Sequence, residues 1–282
     1  MPERPNPLLT RRDRRGFCQL RKLGVNVNSF FDIGASNGCW SHRVSADFPE
    51  ARFDLFEPLV EEIPEYRRKL DVYLAEHPGF HLHQIALGAE CKIATMHITP
   101  NAVGSTALDM NGWSPAEWRK FQVEMLTVDA AIERFGLPVP QAIKIDTQGC
   151  ELEILRGAEQ TLPQVELLLL ECWLARSYGG ATPLWLEMAD WLNARDFHLW
   201  DVGYGWRAPD GTLISQDCFF LNRRSAVSRL RHERSPGARA VRHLNEGHDL
   251  PGRVRDALPS RAASGLRPDL KESVAPGTLA AG

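Results

Sequence analysis

Short apolar runs alternate with segments of helical period along most of this chain, and that alternation limits its fold more than any other feature. Residues 29–34 (SFFDIG), 52–58 (RFDLFEP), 142–146 and 165–172 read as buried strands, with 81–87, 94–99, 197–202 and 217–222 as further ones. Between them, residues 39–48, 60–76, 127–135, 150–162 and 183–194 have the spacing or the capping of helices. Pro64 implies a late start for the second helix. Thr127 and Gly136 give the third a cap and a stop, and Trp185, Met188 and Leu192 mark the apolar face of the last. Strand–helix repeats require crossover connections, which favours a mostly parallel sheet with helices on both faces. A turn at residues 208–211 (APDG) joins the last two strands and makes one of them antiparallel. The expected fold class is α/β, Rossmann-like.

A length of 282 residues suits one large α/β domain, alone or with a tail. The formal net charge of −3 points to neither nucleic acid nor a membrane as partner. It conceals an asymmetry, because residues 223–282 hold 12 Lys/Arg against 6 Asp/Glu. That segment is rich in Arg, Ala, Ser, Gly and Pro and has no aromatic residue, so it is expected to be a disordered, solvated tail. An RNA or acidic partner is the lesser reading of its arginines. Residues 1–24 read as a basic segment with a leading helix, and 25–222 as the folded domain. The first fifteen residues are charged and carry no apolar core, so no secretory signal is expected. With the longest apolar stretch, 165–173, interrupted by Glu166 and Glu171, the expectation is a cytoplasmic protein without a membrane span. The six cysteines form no C-x-x-C pair, and the histidines lack ligand spacing, so no metal is expected.

Three segments carry chemistry. The first is the loop of Asp32, Gly34, Ala35, Ser36, Asn37 and Gly38 between a strand and a helix. Its glycines let the backbone turn sharply and approach a ligand, and the following helix offers free N–H groups. Asp32 would arrange the loop or accept from an amino group. Ala35-Ser36 stand where the dinucleotide fingerprint has its second glycine, which disfavours a pyrophosphate. In the second segment, Glu57 ends the next strand and is placed to accept from ribose hydroxyls, while Pro58 keeps it extended. The third is Lys144-Ile-Asp146-Thr-Gln-Gly149-Cys-Glu151. A strand delivers Asp146 to the carboxyl edge of the sheet, where open α/β folds bind ligands. Lys144, inside an apolar strand, requires a carboxylate partner, and Glu171 at the end of the following strand is a candidate. A structural ion pair accounts for Lys144 and Glu171 equally well.

FFDIGASNG, FEP, Thr127-Val128-Asp129 and KIDTQGCELEILRGA, with Gly104-Ser105-Thr106 as a weaker match, together resemble the FkbM family of S-adenosylmethionine-dependent methyltransferases over about residues 20–222. The resemblance implies a class I methyltransferase sheet: seven strands, mostly parallel, one antiparallel. It implies S-adenosylmethionine as cofactor, with the loop 32–38 beside its methionine part, Glu57 on its ribose and Asp146 near the transferred methyl. It further implies O-methylation of a sugar, glycan or natural-product hydroxyl. Where the family often has Val-Glu, this chain has Thr147-Gln148, which removes a carboxylate beside the site.

Methyl transfer from a sulfonium needs alignment above all, and a base for a hydroxyl acceptor. Asp146 is the first candidate for that base, with Lys144, His81, His83 and Glu171 as alternatives. Trp113, Trp118, Trp173, Tyr178, Trp185, Tyr204 and Trp206 could line a ring-binding face. Ordinary packing is the commoner fate of such residues, and Trp173 and Tyr178, just past a strand end, are the better candidates. Two other readings remain: a nicotinamide-dependent Rossmann oxidoreductase, and a degenerate methyltransferase fold that only binds a partner, hinted at by Gln148.

Overall fold

The computed structural model describes residues 26–110 and 115–225, together with Phe17, Leu20 and Ser228. The expected basic segment and leading helix of 1–24 and the tail 223–282 therefore lie almost wholly outside the described residues, as does Trp113.

The chain runs β1 (Ser29–Ile33), α1 (Cys39–Ser45), β2 (Arg52–Phe56), α2 (Pro64–Glu76), β3 (Phe80–His83), β4 (Ala86–Leu87), β5 (Lys92–Ile98), β6 (Arg119–Leu126), α3 (Val128–Phe135), β7 (Ala142–Ile145), α4 (Glu151–Arg156), β8 (Leu167–Trp173), α5 (Trp185–Asn193), β9 (Phe197–Arg207) and β10 (Leu213–Asn222). Seven strands form one sheet in the order β3-β2-β1-β7-β8-β10-β9. All neighbours pair in parallel except β10, which is antiparallel to both β8 and β9. This is the mostly parallel sheet with one reversed strand that the element order implies.

Period-two alternation sorts the strands onto two faces. Phe30, Phe53, Leu167 and Phe219 join the core on one face with Val44 of α1 and Leu70 of α2. Phe31, Ile143, Leu168 and Phe220 join the other with Val128 of α3, Ile154 of α4 and Leu192 of α5. Phe17 is buried on the first face, its ring against those of Phe30, Trp40 and Phe219.

Local signals set most helix ends. Pro64 is the first residue of α2, where a missing N–H costs nothing. The Thr127 side chain accepts from Ala130 N, and Gly136 closes α3 in the left-handed region. Asp129 reaches across to accept from the backbone N–H groups of Gln160 and Thr161, so this motif fastens α3 to the turn after α4.

Three expectations need correction. The strand at 81–87 is two strands in different sheets, β3 and β4. The helix at 150–162 stops at Arg156, and Gly157, its C-cap, lies against Gly88, where a Cβ would come within 2.1 Å of the carbonyl oxygen. A second sheet, β4-β6-β5, was not anticipated. Its strand β6 exposes Arg119, Lys120, Phe121, Gln122 and Glu124 and buries only Val123, Met125 and Leu126, a faint apolar signal. No helix among the described residues is long and apolar enough to cross a membrane.

Candidate active site at the carboxyl edge of the sheet

β1, β2, β7 and β8 all end at one edge of the sheet, and their following loops form a site with two connected parts. Gly34 leaves β1 with φ +74°, and a Cβ there would lie 2.1 Å from the backbone oxygen of Asp146. The loops after β1 and β7 thus touch through their backbones, which only glycine allows. The N–H groups of Gly34 and Ala35 both donate to Phe56 O, tying the first loop to the end of β2. Gly38 caps α1, and Asn37 Oδ1 accepts from Cys39 N at 3.1 Å.

Beneath this loop lies a buried charge pair. In the parallel register Asp32 sits beside Lys144, and Lys144 Nζ is 3.0 Å from Asp32 Oδ1. The ammonium also donates to Gly34 O at 2.7 Å, and Ser41 Oγ donates to Asp32 Oδ2 at 2.7 Å. Despite burial, the neighbouring carboxylates of Asp32 and Asp146 hold Lys144 above the usual lysine value. Its partner is thus Asp32, with Asp146 at 3.8 Å, rather than Glu171.

Glu57 is 5 % exposed. Its Oε2 accepts from Ser36 N at 2.8 Å and its Oε1 from Leu59 N at 2.9 Å, which fixes the carboxylate plane. Burial raises its pKa, partly offset by those two N–H groups. Glu57 and Pro58 border a cavity whose other walls include Ile85, Leu87, Met96 and Val103. Sequence reasoning missed these apolar walls, and only Gly104-Ser105-Thr106 hinted at the region. There Ser105 lines the cavity, and Thr106 Oγ1 donates to Thr147 O at 3.4 Å.

Asp146 borders this cavity and also a wider cleft beyond it. Its Oδ1 accepts from Gln148 Nε2 at 3.0 Å. The same nitrogen donates to Glu171 Oε2 at 2.9 Å, so one neutral amide bridges two carboxylates. Tyr178 OH lies 3.0 Å from Gln148 Oε1 and 3.0 Å from Gly104 O. Ser215 Oγ donates to Glu171 Oε1 at 2.8 Å. Burial, then the nearby carboxylates of Asp146 and Glu151, push Glu171 well above the ordinary carboxylate range.

Glu151 folds back under the loop after β7 and accepts from Thr147 N at 2.9 Å and Gly149 N at 3.1 Å. It is wholly buried, and burial pushes its pKa up to about 7. The unfolded chain releases this proton first, near the ordinary 4.5, so the contribution is full below that pH and is lost as pH rises through 7. Relative to Glu151→Gln, the wild type is therefore expected to lose on the order of 3 kcal/mol of stability from below pH 4.5 to above pH 7. Denaturant melts of both proteins across that range measure it, and a pH-independent difference would contradict it.

Trp118, Trp173, Tyr178, Tyr204 and Trp206 all line the wider cleft, whereas Trp185 packs against the core. The indole N–H groups of Trp40 and Trp173, both residues of the cleft wall, are buried without a partner. His83 faces Asp54 on β2 at 2.9 Å, and neither it nor His81 borders the cavity or the cleft. Four of the five non-glycine residues with positive φ among those described, Ser36, Ala102, Gln148 and Tyr178, line these two spaces. Strained backbone thus gathers where the loops converge.

The family model described as the Methyltransferase FkbM domain matches residues 32–199. Similar solved structures include the methyltransferase FkbM from Methylobacillus flagellatus KT, at 16 % identity and a TM-score of 0.45. That match covers 69 % of this chain and 43 % of the other, so the chain spans less than half of that protein. A second is a putative O-methyltransferase from Klebsiella pneumoniae, at 11 % identity and a TM-score of 0.43, covering 78 % of this chain and 92 % of the other. A third is the precorrin-6y C5,15-methyltransferase from Geobacter metallireducens GS-15, at 14 % identity and 0.39, covering 77 % and 91 %. No curated protein matches the chain.

Proposed function

Because this chain belongs to the FkbM methyltransferase domain family, we propose that it is an S-adenosylmethionine-dependent O-methyltransferase acting on a hydroxyl of a sugar, glycan or ring-bearing natural product. The observation that carries the reading is the position of Asp146, between a cavity headed by Glu57 and an aromatic-lined cleft. The residues present fit the cofactor. Glu57 has a fixed carboxylate with lone pairs left for ribose hydroxyls, and Ile85, Leu87 and Met96 offer apolar surface to a purine. The contact of Gly34 with the Asp146 backbone leaves the loop 34–37 free to border the methionine part. When bound, S-adenosylmethionine supplies an electrophilic methyl group on a sulfonium. The cleft residues orient the acceptor, Trp118, Trp173 and Tyr178 by their ring faces. Asp146 then takes the hydroxyl proton on a carboxylate oxygen, with Lys144 behind it as fixed positive charge.

Glu171 favours a second assignment of the base, since it too lines the cleft and shares the Gln148 amide with Asp146. Comparing Asp146→Asn with Glu171→Gln decides between them by which one loses turnover.

Gln148 supports an active rather than a degenerate site. Its amide donates to both Asp146 and Glu171, so the residue is built into the cleft beside the proposed base. The oxidoreductase reading is weaker still. Glu57 already occupies Ser36 N, an amide a pyrophosphate would need, and adds a like charge beside it.

Calorimetric titration with S-adenosylmethionine should give a micromolar dissociation constant, about −8 kcal/mol. Labelled methyl groups should pass to hydroxylated sugars or ring compounds in a screen. A titration without heat together with a screen without transfer would sink the proposal. Glu57→Ala should weaken cofactor binding by roughly 1.5–3 kcal/mol, the worth of hydrogen bonds to a charged group. Unchanged affinity in that variant would remove Glu57 from the site.

A further inference from the structure

Outside the cleft, α1 and α2 bring together two imidazoles and a carboxylate that methyl transfer does not use. His42 lies on α1, Glu76 is the last residue of α2, and His77 is the C-cap of α2. His42 Nδ1 and His77 Nε2 are 2.9 Å apart. One ligand-capable atom from each of the three side chains lies within 4.8 Å of the others. Aromatic neighbours hold both rings in place: His42 stacks on Tyr73 with centroids 4.1 Å apart, and His77 on Phe80 at 4.6 Å. The imidazoles are half-buried and Glu76 is exposed, so the group is backed by protein and open to solvent on one side.

We propose that His42, Glu76 and His77 form a binding site for a divalent transition metal, zinc foremost, that fastens α1 to α2. Two imidazole nitrogens and one carboxylate oxygen are the donor set of zinc, copper and nickel sites, whereas magnesium and calcium prefer oxygen alone. Zinc–nitrogen bonds are about 2.0–2.1 Å long, so two nitrogens at the observed spacing need only small ring rotations to share one ion. The ion takes the place of the single proton that otherwise lies between them. Three protein ligands leave a position for water on the open side. The two helices are not remote from the cofactor loop. Gly38 begins α1, and a Cβ on it would lie 2.8 Å from Leu70 of α2. A metal staple therefore stiffens the wall on which that loop rests.

The test uses the whole chain after removal of metal by a chelator. Zinc chloride is titrated against a chromophoric competitor, and cobalt(II) is followed by its visible absorption. Expected are one zinc per chain at micromolar affinity or tighter, a higher melting temperature with zinc, and cobalt bands free of thiolate charge transfer. His42→Ala and Glu76→Gln should each weaken uptake at least about tenfold, as removal of a ligand must exceed the loss of an outer-shell partner. Cys91→Ser, which removes an exposed thiol, should leave uptake unchanged. Glu76 is exposed, so its variant keeps the test valid should His42→Ala fail to fold. Absence of uptake by the wild type, or equal uptake by the wild type and both variants, overturns the site and leaves a histidine–histidine hydrogen bond in its place.

Discussion

Gly34→Ala is expected to destabilise the protein by ~2–5 kcal/mol and to abolish measurable binding of S-adenosylmethionine. Two causes act at once. The residue sits at φ +74°, where an L side chain is strained, and the added carbon would lie 2.1 Å from Asp146 O, 3.0 Å from its carbonyl carbon and 3.1 Å from Thr147 Cγ2. The two nearest belong to the backbone and cannot swing aside as a side-chain tip would. The Asp146 N–H donates to Ile33 O, so displacing that backbone also pulls on the end of β1. Relief therefore requires the loops after β1 and β7 to separate, and both border the proposed cofactor cavity. Gly34 O also holds the Lys144 ammonium, so movement would unseat a buried charge. Chemical denaturation and calorimetry measure the two effects. A variant with an unaltered midpoint and unaltered affinity would mean that the close approach is not a feature of the folded protein.

Asp146→Asn should lower kcat by about 10²- to 10⁴-fold, the usual contribution of a positioned acid or base, while the cofactor dissociation constant stays within roughly threefold of wild type. The split follows from the geometry. The Asp146 side chain is 46 % exposed and opens to the cleft, whereas the fixed carboxylate in the cofactor cavity is that of Glu57. An asparagine keeps the volume and still accepts from Gln148 through its oxygen, but turns its NH₂ toward Lys144 and has no basic oxygen for a hydroxyl proton. If kcat persisted and only cofactor affinity fell, Asp146 would be a binding residue, and Glu171 would become the proton acceptor to examine.

Where a local pattern decides the structure, the sequence was readable. SFFDIG and RFDLFEP carry enough buried aromatic residues to be strands in any context, and Pro64, Thr127 and Gly136 mark helix ends by backbone chemistry alone. The alternation of strand and helix, with the turn at 208–211, was enough for the sheet with one reversed strand. The loop 32–38, Glu57 and Asp146 stand out in the sequence as candidates because each follows a strand at its carboxyl end. Distance in sequence hid the rest. Lys144 finds Asp32 because β1 and β7 are neighbours in register, and nothing near residue 144 announces a partner at residue 32. The apolar wall from Ile85 to Val103 depends on β4 and β6 pairing, and β6 is too polar for its period to stand out. Gln148 looked like the loss of a carboxylate. Its function as a bridge became visible only with Asp146 and Glu171 on either side. His42 and His77 are 35 residues apart and meet only because α1 packs on α2.

β9 and β10 form a hairpin longer than the strand that supports it. β10 pairs with β8 only as far as Ser215, opposite Trp173, but stays paired with β9 out to Leu213 and Arg207. Tyr204 and Trp206 of β9 line the cleft from the stretch still backed by β8, Trp206 lying opposite Ser215. The cavity draws its lining from residues before 151, and the cleft adds residues between 169 and 217 to a set it partly shares with the cavity. On the proposed function, substitutions at Tyr204 and Trp206 alter the acceptor side of the cleft and leave the lining of the cavity untouched. Exchanging residues 200–216 between related proteins is then the natural unit for redirecting the proposed activity.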